Sequence, residues 1–492
     1  MKVKLLNQTH PDYDGPRLER LRALHVGGRA WHDLIGTWLP KRSVEPSDVY
    51  TERLALAAYN NHAGPLVSML SASLFAEAPQ VDGVEGDYWA ALWGDCDGRG
   101  APWARFWRER LEDAQVGRQA FIWANLPARS TAASPATRAD EESAGLLDAY
   151  LVGLLPEQVL DWWEDERGRL TGVMVRDTVS RREGPGSPRT TVWRWTYISE
   201  TTIQRWEWTE QQGRPAPTDS DEAQETILVQ HQIGRLPVVR LQLPPGLWTM
   251  GKLEDPVTTA TRARNELTWA LHQAANELLV VTSAWGDEQI NLGHGHFLRL
   301  GRDKDGTDTA SYTAPDGVAF QYLEADVKNT REEVFRSVQQ MALSADGGDA
   351  KARLSGESKA EDWRALDIIL SSFRDLVLGA MGECIDVIAS ARKEDSTGVS
   401  VSGLDGWQTE DLGIFLEAAA LAVDAHQLSP TFRKLLAKRE AQRLLQDEVS
   451  AEDLQAVLDE IDAAEDDPAP APPIKRGPSG LTDQEGDASE VE

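Results

Sequence analysis

Two cysteines, Cys96 and Cys384, stand in 492 residues. That is too few for a disulfide framework or a thiolate metal cluster, and it points to a fold made in a reducing, intracellular setting. No apolar run of about 18 residues occurs, so no membrane span is expected. The stretch MKVKLLNQTHPDYDG at the start lacks the apolar centre of a secretory signal. Positive charge is also scarce. Fifty Lys and Arg face 80 Asp and Glu, a net of −30. That sign excludes a protein that coats DNA or clings to an anionic membrane, since both rest on Lys and Arg. The deficit is uneven. From Asp447 onward, 15 acidic residues face only Lys475 and Arg476, a net of −13. The remaining chain is therefore less acidic than the average suggests.

Catalytic signatures are missing as well. There is no GxxxxGK[ST], no GxGxxG after a strand, no HExxH and no GxSxG. His294 and His296 share a face if their segment is a strand, but a third ligand is not evident, and they read as loop residues. Asp161, Glu164, Asp165 and Glu166 beside Trp162 and Trp163 could imitate a glycosidase site, which needs two carboxylates about a sugar. A strand end followed by a solvated turn explains them more simply. Cys384 falls on an apolar stripe with no partner base and reads as core. No cofactor or metal is implied.

What is present is a chain long enough for two to four domains, 41% hydrophobic, with 18 tryptophans. One stretch organises it, Leu253–Lys393. Val257, Ala260, Leu267, Leu271, Ala274, Leu278 and Val281 recur at helical spacing and predict a helix over Asp255–Thr282, with Pro256 in its first turn. Ser283–Leu323 is rich in Gly and Asp and carries the alternating runs His296–Leu300 and Val318–Tyr322, which predict strands. Helical spacing returns at Val327, Val334, Val338, Met341 and Ala345. A loop holding Gly347, Gly348 and Gly356 follows. Trp363, Leu366, Leu370, Phe373, Val377, Met381, Cys384 and Ile388 then form one stripe of a helix over Glu357–Arg392. At 1.5 Å per residue it is roughly 54 Å long, more than a small globular domain needs.

Around that stretch, residues 1–46 are polar and partly helical, best at Arg17–His25. Ser47 is placed to cap a helix over Val49–Asn61, and Pro65–Ala76 is a second. Glu77–Gly86 reads as a loop, Trp103–Gln115 as an amphipathic helix and Val116–Leu126 as a strand. Leu170–Val239 alternates as antiparallel β, with hairpin loops at Gly184–Pro188 and Gln211–Asp221. Val399–Trp407 reads as a strand or small hairpin. Asp411–Ala425, Pro430–Leu445 and Ala451–Ala463 read as helices, the last two capped by Ser429 and Ser450. The acidic, Pro- and Gly-rich tail from Glu465 has the composition of disorder.

Several phrases, in order, give this chain a likeness. They are Tyr50–Thr51–Glu52–Arg53–Leu54 leading to Leu74–Phe75–Ala76–Glu77–Ala78–Pro79, then Pro156–Glu157–Gln158–Val159–Leu160–Asp161–Trp162 and Leu236–Pro237–Val238–Val239. Thr261–Arg262–Ala263–Arg264–Asn265–Glu266–Leu267–Thr268–Trp269 follows, then Ala314–Pro315–Asp316–Gly317–Val318–Ala319–Phe320–Gln321–Tyr322–Leu323–Glu324, and last Leu354–Ser355–Gly356–Glu357–Ser358–Lys359–Ala360. Over roughly residues 48–460 the chain resembles the portal proteins of tailed bacteriophages, the head–tail connector family. None of these phrases is a catalytic signature.

The resemblance implies a non-enzymatic α+β portal fold that assembles as a ring. It divides the chain into an N-terminal arm (1–47), an α+β wing (48–252), a first stem helix (253–282), a β-containing clip (283–323) and a second stem helix (324–345). A tunnel loop (346–356), a long wing helix with a strand (357–407), a helical crown (408–464) and the acidic tail (465–492) complete it. It further implies a dodecamer at one capsid vertex of the virion, put together in the host cytoplasm. Such a ring is the channel for double-stranded DNA during packaging and ejection, without sequence specificity. Its expected partners are the terminase large subunit, a head–tail adaptor, and the major capsid and scaffolding proteins, with no membrane. Within that frame, Asp346, Gly347, Gly348, Asp349, Lys351 and Arg353 would form the tunnel loop. Arg262, Arg264, Lys328, Arg331 and Arg336 would stud the stem, and Arg299, Arg302 and Lys304 would meet the clip's partners. The alternatives are another capsid or connector protein, or a Trp-rich carbohydrate-active enzyme.

Overall fold

The computed structural model describes residues 1–127, 138–143, 145–182, 184–211, 214–231, 233–275, 278–282, 309–313, 317–345 and 358–406, with isolated positions at 438, 456–457 and 460–461. The chain divides into two compact units, Met1–Gln408 and Thr409–Glu492. The second is described only at its five isolated positions, all helical. The three helices expected between Asp411 and Ala463 otherwise lie outside the described residues, as does the acidic tail.

The first unit opens with a short helix, α1 (Val3–Leu6), whose Val3 and Leu6 are fully buried. In α2 (Gly15–Val26) the Asp14 carboxylate accepts from the Arg17 amide at 3.1 Å, and proline stands in the first turn. After α3 (Gly28–Asp33) and α4 (Ile35–Trp38) comes α5 (Ser47–Ala55). Ser47 is its first residue and makes no cap bond; its hydroxyl accepts from the Lys41 ammonium instead. The helix stops well before the expected Asn61. That asparagine serves the next helix, α6 (Ala63–Leu74): its Oδ1 accepts from the Gly64 amide and its Nδ2 donates to the His25 carbonyl, both at 2.8 Å. Polar as it reads, the N-terminal segment reaches deep into the core, for Leu21, Leu24 and Trp31 are fully buried.

The expected loop over Glu77–Gly86 contains a strand, β1 (Gln80–Asp82). Two helices follow, α7 (Asp87–Gly94) and α8 (Trp103–Gly117). A β-carbon on Gly117 would meet the Pro156 ring at 2.3 Å, so only glycine lets that turn close. Then come β2 (Gln119–Asn125), α9 (Arg138–Ser143), β3 (Tyr150–Leu154) and β4 (Val159–Glu164). Long strands β5 (Leu170–Arg181), β6 (Thr190–Ser199) and β7 (Thr202–Thr209) lead to β8 (Gln224–Gln230) and β9 (Val238–Gln242). The strands β4-β5-β6-β7-β8 form one antiparallel sheet in chain order, and β3-β2-β9 a second. One face of the larger sheet holds Trp162, Val173, Val175 and Ile198 against Phe121. Its other face carries Met174, Trp195, Trp206 and Trp208, covered by Val3 and Leu6 of α1. The period-2 alternation of the sequence is what supplies two apolar faces.

A long helix, α10 (Thr249–Ala275), begins six residues before the expected start and ends seven before the expected finish, with Pro256 in its interior. Leu278–Thr282, expected as its last turns, is instead strand β10, paired antiparallel with β11 (Thr309–Thr313). The run Leu-Leu-Val-Val-Thr fits a strand better than its chance helical spacing fits a helix. The next helix, α11 (Gly317–Ala345), absorbs Val318–Tyr322, which was expected as a strand. An alternation of five residues is too short to separate the two periods. Last come α12 (Ser358–Arg392) and β12 (Ser400–Ser402). β12 pairs with β1 across the fold rather than forming a local hairpin. α12 matches the sequence expectation closely and is the axis of the main core, with Leu370, Phe373, Val377, Met381, Cys384 and Ile388 all fully buried.

Candidate functional site: the paired helices

The helices α10 and α11 pack on each other and connect to an antiparallel ribbon, β10–β11, in register from Leu278↔Thr313 to Thr282↔Thr309. A helix, two paired strands and a returning helix thus run in sequence. α10 is bound firmly to the body. The Asn265 side chain accepts from the Ala58 amide at 2.9 Å and donates to the Ala58 carbonyl at 3.0 Å, completing both backbone groups just beyond α5. Arg262 donates from Nε to the Trp38 carbonyl at 2.9 Å, Glu266 pairs with Arg42, and His272 meets Glu52 at 3.2 Å.

α11 differs. Between Phe320 and Val338 only Thr330, Val334 and Val338 are buried, one stripe at a spacing of four. Thr330 satisfies its own hydroxyl through the Asp326 carbonyl at 2.9 Å. Tyr322 is 73% exposed and Phe335 43%. Between Phe320 and Val338 that single narrow stripe leaves most of the helix surface without a partner among the described residues.

The five cations expected on the stem separate by environment. Arg262 turns back to the body through Trp38. Arg331 lies near His62, whose pKa is lowered first by burial and then by the Arg331 charge, and Phe335 approaches the His62 ring at 6.3 Å. Arg264, Lys328 and Arg336 are exposed and have no ion pair among the described residues. The tunnel-loop set Asp346, Gly347, Gly348, Asp349, Lys351 and Arg353 lies outside the described residues. So do Arg299, Arg302 and Lys304, and His294 with His296.

The other chemical candidates have structural occupations. Asp161 accepts from the Trp162 amide at 2.9 Å, and burial raises its pKa. Glu164 pairs with Arg240 at 2.5 Å. Asp165 accepts from the Arg167 and Arg169 amides, each at 2.9 Å, and so closes the β4–β5 turn; these bonds hold its carboxyl below the usual range. Burial pushes the Cys96 thiol up to about 12 and raises Cys384 further, which makes both inert. Among the described tryptophans only Trp163 is markedly exposed, while Trp31, Trp107 and Trp195 are fully buried. The indoles build cores rather than a sugar-stacking surface. A cleft of about 650 Å³ lies among Tyr13, Glu19, Arg22, Asp33, Glu157 and Arg176. Arg22 is consumed there by Glu157 at 2.7 Å and Asp113 at 2.9 Å. The sequence offered no sign of this cleft or of the Asn265–Ala58 clamp, because both join segments far apart in the chain. Among the described residues no group of acidic, His and Cys side chains could hold a metal ion, and no helix is long and apolar enough to cross a membrane.

No protein-family profile matches the chain, and no curated protein does. Among solved structures it is similar to a chain in the virion of a native gene transfer agent particle, at 13% identity and a TM-score of 0.42. That match covers 85% of this chain and 98% of the other. It is similar also to a chain in the neck of an empty gene transfer agent particle solved with C6 symmetry, at 12% identity and a TM-score of 0.40, covering 82% and 97%.

Proposed function

We propose that the chain is a portal subunit, one of a ring, usually of twelve, seated at a single capsid vertex. The ring passes double-stranded DNA inward during packaging and outward at ejection. It docks a terminase large subunit first and a head–tail adaptor afterwards, and it meets major capsid and scaffolding proteins. It needs no cofactor and performs no catalysis. Residues 48–248 are its wing, α10 and α11 its stem, the stretch between those helices its clip, 346–356 its tunnel loop and 408–464 its crown.

The observation that carries this reading is α11. It is a long helix paired with α10 at the end of a ribbon, and between Phe320 and Val338 it is buried on one stripe only, with Tyr322 and Phe335 left open. A monomer gains little from such a surface; in a ring, neighbouring copies cover it. The charge balance suits the same role. A strongly basic lining would hold phosphates and brake sliding, whereas an acidic chain with scattered cations grips DNA weakly and without reading sequence. Arg264 and Arg336, with Lys351 and Arg353 of the tunnel loop, are the cations proposed to face the DNA or its approach.

Mass photometry of the purified full chain tests the reading. Twelve copies of a 54.3 kDa chain weigh about 650 kDa, and negative-stain images should show rings with a central hole. A species that stays at the monomer mass at high concentration, with scaffolding protein and with DNA, would overturn it.

A further inference from the structure

Charge on α11 is sorted by side. Val334 marks the centre of its buried stripe. A turn of 3.6 residues places Arg331, Phe335 and Lys328 at about 60°, 100° and 120° to one side of that centre, with Glu324 at about 80°. Asp326, Glu333 and Tyr322 fall at about 80°, 100° and 120° to the other side. All of these residues are exposed. The first flank carries two cations, one carboxylate and a phenyl ring. The second carries two carboxylates and a phenol. Arg331 and Phe335 also border His62 of the body, which leaves Lys328 and Glu324 as the freest members of the first flank. Asn329, Glu332 and Arg336 point away from both flanks, opposite the stripe.

The flanks also match in height. Cyclic symmetry sets identical helices side by side at the same level, so a residue on one flank meets residues of nearly its own number on the neighbour's other flank. Asp326 and Lys328 differ by two residues, as do Glu333 and Arg331, and as do Tyr322 and Glu324. Two residues amount to about 3 Å along the axis, well within side-chain reach. A phenol can donate to a carboxylate, so each of the three pairs is complementary. Within one chain the members of each pair lie on opposite sides of the helix and cannot meet.

We infer that α11 of one copy docks against α11 of the next through these opposed flanks, with Lys328, Arg331 and Glu324 of one copy facing Asp326, Glu333 and Tyr322 of its neighbour. The inference rests on the ring reading and adds which surfaces meet and in what register. Because the two flanks differ, the contact is heterologous and propagates round a ring rather than closing a dimer. Its polar pairs favour correct register and discourage a shifted one, where like charges would face each other.

The test uses two charge-reversed full-length variants, K328E/R331E and D326K/E333K. Each makes both flanks alike in sign, and all four positions are exposed, so circular dichroism and melting of the separate chains should match wild type. Alone, each variant should lose ring particles in mass photometry by about tenfold or more, since like charges then face each other at every joint. Mixed in equal amounts they should form rings again, with an even number of subunits in alternation. A second measurement avoids charge altogether. D326C/K328C should give a ladder of oxidised dimers, trimers and larger species, while D326C and K328C alone give none. If wild type forms rings and both reversed variants ring equally well, or the double-cysteine chain gives no ladder, the α11 contact is wrong although the ring stands. If wild type never exceeds the monomer mass, the ring reading fails and takes this inference with it.

Discussion

His25 is partly buried, its two ring nitrogens enclosed and without a hydrogen-bond partner among the described residues. Burial, and next the Arg22 charge, lower its pKa from the ordinary 6.5 to about 4. The folded protein therefore keeps this ring neutral where the unfolded chain protonates it. Stability should fall as pH drops from 6.5 towards 4, by up to about 3 kcal/mol if no other group compensates. In His25→Leu that slope should be absent from urea melts across the same window. Glu45 works in the opposite sense. The Arg53 guanidinium donates to it at 2.7 and 2.9 Å and holds its carboxyl at about 2. Its contribution is present above about 4.5 and is lost as pH falls towards 2, so Glu45→Gln should be less stable at pH 7 and flatter through that acid range. Gly64 is a purely steric case. A β-carbon there would lie 2.4 Å from the His25 carbonyl, so Gly64→Ala should cost about 1–3 kcal/mol by forcing α2 and α6 apart, read as a lower Tm.

At the scale of elements, Arg392 ends α12 with its guanidinium 3% exposed. It bonds Glu394 at 2.9 Å, Glu142 at 3.1 Å and Asp148 at 3.2 Å, and lies 3.8 Å from the centre of the Tyr88 ring. Arg392→Met should destabilise by about 1–3 kcal/mol, because two helices and a loop would lose their common cation while the half-exposed Glu142 and Asp148 carboxylates regain water. α12 was legible in the sequence because its stripe of large apolar residues runs unbroken over many turns, and a long period leaves little ambiguity. The antiparallel sheet was legible for the same reason at period two. α10 was legible only in its middle. Its end was hidden because Leu278 and Val281 satisfy a helical spacing by chance while their neighbours Leu279 and Val280 favour a strand. Pairing of β1 with β12 could not be read, since three-residue strands gain their order from a partner some 320 positions away. The site divides similarly. The cations of α10 and α11 could be named from the sequence, but Arg262 spends its charge on the Trp38 carbonyl, a contact that no local pattern announces.

At the scale of the whole molecule, the central claim is that the α10–α11 pair surrounds an axial channel. It rests on the sidedness of α11 and on an acidic chain in which Arg264 and Arg336 of these helices are exposed and without an ion pair among the described residues. Burying Tyr322 and Phe335 between copies would supply part of the association energy, and the charged flanks would make it weaken with added salt. The most direct measurement is a cryo-electron microscopy reconstruction of the assembled full chain. The account predicts a ring in which α10 and α11 of every copy encircle an open axial hole wide enough for a DNA duplex, about 20 Å or more across, with the wing outside them. A reconstruction with these helices on the outer rim, or with the axis closed by packed protein, would contradict it.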